Sequence, residues 1–568
     1  MTKKTVENSQ WEKKYTSLIQ RLNESIANGK YRNLPIIILV TSLVSVILLH
    51  LPLALLPLGR DQGVWTTAAM AFEEGRVFYK DFIHFHLPGL GIAFWAAMSF
   101  TSDPRVATML LSMTGSIIII ASAYLILQAT VSRAAAAWAV LLFAIQWPTL
   151  VSYWDIAQKD FMAMPGIFLG TWLVLRAVPG ARLRRSSIYM AGIAVGISIM
   201  FKPLFAITGI LLALAQVTRY FNKNSRYQGS PDYLQLFFDL VALLFGALTV
   251  ALLFITYLAQ GGALEDAFNG IFRIAPLYAG IKAQSPATML LGVLVFSILP
   301  GLTNPFAWLA LLIIGFIAMY KKRYSYKPIW ILIPLLTGLI CYLIQRKGWS
   351  YHAAPLQVSL YLVAGIGGAH AWKVWWALRD KATGKKYFLL NCALSLGLAI
   401  MFLLAVTATP YGRGLLPTYF GAMERTAYLD EFYDPPDSPH PNVSESTAKW
   451  VNENTAESDT ILVWGLECQI YSLSNRLYAS NSPMDFILSD ISFVGKPSEW
   501  LAEKQQEFIL RLIQDAPKFI LITTNDANSV EPIPSNVAMH NVPGFVELIA
   551  ERYIQLPDQE RFNVYQIK

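Results

Sequence analysis

The chain has 568 residues, of which 55% are hydrophobic and only 14% are charged, and its mean hydropathy is +0.43. Soluble domains carry about 25% charged residues, so this composition excludes an ordinary soluble protein and predicts a polytopic α-helical membrane protein. The net charge of +8 comes from Lys and Arg scattered between apolar segments, which indicates positive-inside loops rather than a nucleic-acid surface, and the three Cys indicate no disulfide framework.

The first predicted element is a polar cytoplasmic segment, residues 1–33. It carries seven Lys and Arg residues ahead of the first apolar run, and no small-residue cleavage site follows that run. The segment is therefore not interpreted as a cleavable signal. The excess of basic residues predicts a cytoplasmic N-terminus, so the first span exits on the opposite side of the membrane.

Residues 34–410 are predicted to form a membrane domain of about eleven transmembrane helices, because many segments reach the roughly 20 apolar residues that a spanning helix needs. Segment 87–100 is excluded, since it is short and contains Pro and Gly, which predicts an interfacial or re-entrant piece. Segment 289–320 is broken by Pro300, so a kinked helix and a span followed by a re-entrant piece both remain open. The predicted spans are 34–58, 106–128, 135–153, 161–178, 188–201, 204–220, 236–257, 289–320, 328–344, 353–372 and 387–409.

An odd number of spans places residues 411–568 outside the cytoplasm. Apolar runs at 460–465 and 518–523 are typical of buried strands, and segments 444–452 and 499–514 have helical spacing. The alternation of helix and strand signals predicts a small extracytoplasmic α/β domain.

The first outward loop, residues 59–105, contains the densest set of candidate functional residues. Asp61 directly follows the first span, where an acid is costly: insertion scales give roughly 2.5–3.5 kcal/mol for a centred Asp. It is the candidate catalytic base. Loop solvation remains open for Asp81, and a His-x-His pair alone is a weak metal signal. The candidate substrate-binding residues of this loop are Tyr79, Asp81, His84 and His86.

Further candidates lie in the later outward loops. Asp160 is a second candidate catalytic acid, although an exposed ion pair with Lys159 remains open. Lys202 interrupts an apolar stretch at the end of a span. The remaining candidate substrate-binding residues are Arg273 and Tyr278 in the loop 259–287, and Arg346, Lys347, Tyr351 and His352 in a basic turn. Snorkelling anchors are the competing interpretation of the two cations that open this turn.

Acids and cations on one face of a membrane fit the transfer of a sugar from a polyprenyl phosphate. The acceptor must lose a proton to a general base, here Asp61, while Asp160 is expected to position the acceptor or a divalent ion. The leaving phosphate develops negative charge that cations or a metal stabilise. The residues expected to hold this phosphate at headgroup depth are Lys202, Lys347 and His352.

The first loop resembles the GT-C superfamily of integral-membrane glycosyltransferases, in the branch of the protein O-mannosyltransferases and the aminoarabinose transferase. The motifs that carry this resemblance are Gly59-Arg60-Asp61, Gly75-Arg76-Val77-Phe78-Tyr79-Lys80-Asp81-Phe82 and His86-Leu87-Pro88. The resemblance implies that Asp61 is the base, that Asp160 is the second acid, and that Lys202 and the basic turn contact the donor. The chain departs from the pattern at Gln62, where many members have Glu, and at Leu87, where a Lys is common.

These observations predict a glycosyltransferase of the bacterial inner (plasma) membrane that uses a polyprenyl-phosphate-sugar donor. Its expected partners are the donor, an extracytoplasmic lipid, glycan or protein acceptor, and the bilayer, with no nucleic acid. A divalent metal ion is the one cofactor left open, and the sugar, the acceptor and the oligomeric state are not predicted. Two alternatives remain: a transporter or lipid flippase of the cell-envelope glycan pathway, which would need inverted repeats that are not found, and a non-catalytic assembly protein.

Overall fold

The computed structural model describes residues 34–178, 183–221, 233–281, 283–301, 305–321, 327–381, single residues between 389 and 407, and 408–432, 438–489, 499–528 and 531–568. The predicted segment 1–33 and most of the predicted span 387–409 therefore lie outside the described residues. The chain folds into a helical part that precedes a small mixed sheet.

Sixteen helices, numbered in chain order among the described residues, build the helical part as far as residue 381. They are α1 Leu34–His50, α2 Arg60–Glu73, α3 Gly89–Met98, α4 Pro104–Thr130, α5 Arg133–Leu150, α6 Lys159–Met162, α7 Met164–Arg176, α8 Arg184–Phe201, α9 Ala206–Phe221, α10 Tyr233–Gly261, α11 Leu264–Phe268, α12 Ala275–Gly280, α13 Pro286–Ile298, α14 Pro305–Lys321, α15 Ile329–Gln345 and α16 Ala354–Lys381.

The predicted polytopic helical class is confirmed. Five described helical stretches are long and apolar enough to cross a bilayer by length and composition, and each predicted span up to residue 372 overlaps at least one described helix. They are Leu34–Leu55, Pro104–Thr130, Arg133–Leu150, Pro203–Phe221 and Tyr233–Gly261.

Two segments that the sequence left open are resolved by the helices. The predicted span 289–320 contains α13, which the short 3₁₀ turn Leu299–Gly301 follows, and α14, and residues 302–304 lie outside the described residues. Pro300 lies in this turn, where a ring without an N–H interrupts the helical hydrogen bonds. In segment 87–100, α3 has ten residues, about 15 Å of helix, which is half of a bilayer core.

The chain after residue 410 contains further helices and four strands. The helices are α17 Leu416–Tyr419, α18 Arg425–Leu429, α19 Pro441–Asn454, α20 Gln469–Ser474, α21 Phe486–Ser489, α22 Glu499–Asp515, α23 Ser535–Ala538 and α24 Phe545–Arg552, and the strands are β1 Ile461–Trp464, β2 Phe519–Thr523, β3 Tyr553–Gln555 and β4 Phe562–Ile567.

The sheet has the order β1-β2-β4-β3. The two strands predicted from apolar runs, β1 and β2, are fully buried and pair in parallel, with Ile461 opposite Phe519. Strand β4 pairs antiparallel with β2 and β3. The predicted α/β domain is therefore confirmed as a class, and its antiparallel half was missed, because β3 and β4 carry polar residues that break the apolar pattern.

A hydrogen bond from α8 to the residue between α6 and α7 brings two predicted site residues together. Ser198 Oγ donates to the carbonyl oxygen of Ala163 at 2.9 Å. Gly166 allows the two backbones to approach, since a Cβ there would lie 3.3 Å from the carbonyl carbon of Ala194. This packing places Lys202, which follows α8, beside Asp160 of α6.

Candidate active site

The candidate base Asp61 lies in the first turn of α2, where a carboxylate is favoured by the helix dipole. Gln158 Nε2 donates to Asp61 Oδ2 at 2.9 Å and to the carbonyl oxygen of Trp154 at 2.8 Å. Among the described residues, Asp61 Oδ1 has no hydrogen-bond partner. The half-buried carboxylate is thus fixed against the loop 154–158, while one oxygen stays available.

Gln62 accounts structurally for one departure from the family pattern. Its Nε2 donates to the carbonyl oxygen of Ile156 at 2.6 Å. A carboxylate at this position has no N–H to donate, so Glu would lose this bond. Gln62 and Gln158 together join α2 to residues 154–158.

Asp160 is fully buried and both of its oxygens are occupied. Lys202 Nζ donates to Oδ2 at 2.8 Å, and Gln345 Nε2 donates to Oδ1 at 3.0 Å. Lys202 Nζ also donates to Gln345 Oε1, which closes a three-residue network between α6, α8 and α15. The exposed Asp160–Lys159 pair considered from the sequence is wrong, because the buried acid pairs with Lys202 instead.

Lys159 is the site residue that sequence reasoning missed. It is 7% exposed, and its Nζ lies 5.3 Å from the ring centroid of Trp65. Among the described residues, no hydrogen bond or ion pair to this ammonium is present. Burial and the charge of Lys202 lower the pKa of Lys159 to about 8, against the opposing effects of Asp61 and Asp160. An ammonium without a direct counter-ion is suited to an anionic ligand.

The two histidines of the first loop are buried among aromatic rings. His84 Nδ1 accepts hydrogen bonds from the backbone N–H groups of Phe85 and His86 at 2.9 and 3.0 Å, which fixes the turn and leaves Nδ1 unprotonated. The centroid of the His86 ring lies 4.3 Å from the ring centroid of Phe85 and 5.9 Å from that of Tyr278. Burial, followed by the charge of Lys159, lowers the pKa of both imidazoles well below the usual range.

Tyr79 and Asp81 have supporting contacts in the first loop. Tyr79 adopts a positive φ of 71°, and its hydroxyl donates to the carbonyl oxygen of His86 at 2.9 Å. Asp81 accepts from the Val77 N–H at 2.8 Å and forms an ion pair with Arg511 of α22 at 2.9 Å. Asp81 therefore faces the C-terminal domain, not the cluster around Asp61.

The basic turn before α16 divides into surface and buried residues. Arg346 is exposed, and its Nε donates to the carbonyl oxygen of Gln284 at 3.0 Å. Lys347 Nζ lies 4.8 Å from the Tyr278 ring centroid and donates to the carbonyl oxygen of Tyr278 at 2.8 Å and to that of Ile281. Lys347 thus holds the preceding loop in place.

Tyr351 and His352 bring this turn into the Asp61 cluster. Burial and then the charges of Asp61, Tyr278 and Asp160 raise the pKa of Tyr351 well above its usual range. Burial and then Lys202, Lys159 and Lys347 lower the pKa of His352 well below its usual range, and its buried Nδ1 has no hydrogen-bond partner in the part of the chain that the structure describes. Ser350, the residue before Tyr351, donates from its Oγ to Asp155 Oδ1 at 2.7 Å, which ties this turn to the loop that precedes Asp160.

The structure therefore gathers most, but not all, of the predicted site residues. Arg273 is exposed, with its guanidinium carbon 5.9 Å from the ring centroid of Phe268, and Arg346 and Asp81 also lie away from the cluster. Within the described residues, no three His, Cys, Asp or Glu side chains form a group that fits a metal ion. The predicted residues that it gathers are Asp61, His84, His86, Asp160, Lys202, Tyr278, Tyr351 and His352, and Lys159 joins them.

Known structures with this architecture were found by structural comparison, whereas neither protein-family models nor curated protein sequences gave a match. The crystal structure of ArnT from Cupriavidus metallidurans bound to undecaprenyl phosphate aligns over 93% of this chain and 97% of that chain, with 14% identity and a TM-score of 0.56. Its apo form aligns over the same shares with 13% identity and a TM-score of 0.56.

A weaker similarity connects the chain to the oligosaccharyltransferase AglB from Archaeoglobus fulgidus, with 13% identity, a TM-score of 0.47, and coverage of 95% of this chain and 75% of that chain. The ArnT similarity establishes a shared fold. The polytopic helical fold with a small C-terminal sheet that we expected from the sequence is confirmed at that level.

Proposed function

We propose that this chain is a membrane glycosyltransferase that moves a sugar from a polyprenyl-phosphate donor to an acceptor outside the cytoplasm. The observation that carries the proposal is that Gln158, the residue directly before the buried Lys159, donates a hydrogen bond to Asp61, while the Lys159 ammonium has no direct partner among the described residues. The fold is shared with ArnT, which has been crystallised with undecaprenyl phosphate. A base and an anion-binding cation in one site are the two groups that this reaction needs.

Lys159 is proposed to hold the donor phosphate, with His352 and Tyr351 as neutral hydrogen-bond donors. The geometry favours Lys159 over Lys202 and Lys347, because the latter two are already engaged by Asp160 and by backbone carbonyl oxygens. Lys159 also supplies a cation in a chain that has Leu87 where relatives often have Lys. Trp65 beside the ammonium excludes water and strengthens its attraction for an anion.

In the proposed step, Asp61 Oδ1 takes the proton of an acceptor hydroxyl while the acceptor oxygen attacks the anomeric carbon. The bond between that carbon and the phosphate oxygen breaks, and its electron pair stays on the departing polyprenyl phosphate. Lys159 stabilises the added negative charge. Gln158 holds the base in position through its bond to Oδ2. Attack opposite the leaving group inverts the anomeric centre.

Asp160 is proposed to act through Lys202 and Gln345 rather than by touching the acceptor or a metal ion. Both of its oxygens accept hydrogen bonds, and the resulting network fixes the ends of α8 and α15 beside the site. This replaces the expectation that Asp160 positions the acceptor or a divalent ion.

The substitution Asp61→Asn tests the base directly. Glu74→Gln is a matched carboxyl-to-amide control, because Glu74 is exposed at the other end of α2. Each variant is expressed in cells lacking the gene, and envelope lipids and glycans are compared by mass spectrometry, with transfer measured in isolated membranes.

General base catalysis contributes about 10²–10⁴-fold, so Asp61→Asn is expected to lose at least 100-fold in transfer at unchanged folding. Near-normal transfer by Asp61→Asn, with Glu74→Gln also normal, would remove the base assignment. A flippase needs no general base. That alternative would be favoured if the wild-type chain transferred no sugar and the Asp61→Asn variant still moved lipid across the bilayer.

A further inference from the structure

The C-terminal domain contacts the helix that carries the candidate base along its length. Thr67 Oγ1 donates to the carbonyl oxygen of Cys468 at 3.0 Å, and Thr66 Oγ1 donates to Ser472 Oγ at 2.8 Å. The backbones of α2 and α20 touch, since a Cβ at Gly63 would lie 2.7 Å from the Cα of Gln469. Helix α2 is thus packed on the domain rather than on the membrane helices alone.

An ion pair joins the start of α2 to the end of β1. Glu467 follows Gly465, whose φ of +142° turns the chain away from the strand, and it is 1% exposed. Glu467 Oε1 accepts from Arg60 Nε, and Oε2 accepts from Ser444 Oγ at 3.2 Å and from Gln469 Nε2. Both carboxylate oxygens are therefore bonded.

The charge around Arg60 comes mainly from the C-terminal domain. Burial on its own would lower the pKa of the Arg60 guanidinium, but Glu467, followed by Glu531 and Asp526, raises it. The ion pair with Glu467 holds the cation at the carboxyl end of β1, which pairs in parallel with β2. Arg60 is the residue directly before Asp61, so its anchor fixes the first turn of α2.

We propose that Glu467 is a positioning residue for the transfer reaction and that the C-terminal domain is a part of the catalytic unit. Glu467 acts through Arg60: it sets where the first turn of α2 lies relative to Lys159, and hence where Asp61 meets the acceptor. The proposal rests on the proposed function. Displacement of a reacting group by about 1 Å can cost about 100-fold in rate, so this anchor has a kinetic consequence.

Glu467→Gln in the full chain tests the role, because it removes the charge and keeps the shape. The matched control is Glu445→Gln, which breaks another carboxylate–arginine contact between the C-terminal domain and the membrane helices. Glu445 lies 3.6 Å from Arg105 of α4 and also pairs with Arg425, away from α2. Both variants are assayed for transfer at varied donor concentration and for thermal unfolding.

Glu467→Gln is expected to lower kcat by about 10–100-fold while KM for the donor changes by less than about threefold. The kcat of Glu445→Gln and its KM for the donor are both expected to stay within about twofold of the wild-type values. The kcat of the double variant Arg60→Gln/Glu467→Gln is expected to fall no further than that of the less active single variant, because the same ion pair is removed in each case.

The double variant Thr66→Cys/Ser472→Cys gives a readout apart from catalysis. Its two side chains replace oxygens 2.8 Å apart, so a disulfide is expected, detected by mass spectrometry of the linked peptides, and the linked enzyme should remain active. Failure to form the link would overturn the docking.

Asp61→Asn in the same assay separates the two claims. If it transfers normally, the proposed function is wrong. If it is inactive while Glu467→Gln keeps the wild-type kcat, or loses activity only as far as it loses folded protein, the positioning role alone is wrong.

Discussion

Replacement of Lys159 by Met removes the one charge that the account assigns to the donor phosphate while keeping an apolar side chain of similar length beside Trp65. Lys159 is buried and has no direct counter-ion among the described residues. The variant should therefore become less active and more stable at once, a combination that ordinary structural damage does not produce.

The stability change can be worked from the pKa of Lys159, which falls from the usual 10.5 to about 8. At about 1.4 kcal/mol per factor of ten, the protonated side chain costs the folded chain roughly 3 kcal/mol. Because the folded pKa lies below the unfolded one, this cost is fully present below pH 8 and disappears as the pH rises to 10.5. Lys159→Met should recover up to about 3 kcal/mol at pH 7 and nothing above pH 10.5.

The activity change follows from the loss of a cation aimed at a developing anion. Removing one such preorganised group costs about 10²–10³-fold in kcat. Transfer and thermal unfolding of the purified chain are measured in parallel, with Arg346→Gln as the exposed-cation control from the nearby turn. Reduced stability together with wild-type transfer by Lys159→Met would refute the assignment of the phosphate to this ammonium.

Two further predictions follow from the same contacts. Transfer by the wild-type chain should fall as the pH rises above about 8, since Lys159 then loses its proton. Lys159→Arg keeps the positive charge at high pH and should therefore flatten this fall in the pH–rate profile. The same fall in the Lys159→Arg variant as in the wild type would contradict the role of Lys159. Asp160→Asn should destabilise the chain by about 3–5 kcal/mol in thermal unfolding, because it leaves Lys202, whose side chain is only 13% exposed, without its counter-ion. Equal stability would mean that the ion pair is not formed.

The membrane-protein class and the approximate positions of the helices could be predicted because a helix that crosses a bilayer needs a long apolar segment, and such segments are visible in the sequence. The parallel strands β1 and β2 could also be predicted, since both are continuous apolar runs that are buried on each face. Strands β3 and β4 could not be predicted, because they are stabilised by pairing with a neighbouring strand, and the local pattern of apolar residues does not show such pairing.

The site was partly predictable for a related reason. Asp61 and Lys202 are conspicuous because charged residues interrupt apolar runs there, and residues of the later turn were found by their basic and aromatic character. Lys159 was missed because a Lys next to an Asp suggests an ion pair, and only the fold reveals that Asp160 turns to Lys202 instead. Asp81 was misplaced in the cluster because its partner Arg511 lies 430 positions later in the chain.

The central claim is that one extracytoplasmic site holds both the donor phosphate and the base, and an experimental structure of the chain with added undecaprenyl phosphate tests it most directly. The account predicts phosphate density within hydrogen-bond distance of Lys159 Nζ, with Asp61 on the side from which an acceptor approaches. Phosphate density at the exposed Arg346, at the opposite ends of the membrane helices, or anywhere out of reach of Asp61 would contradict it.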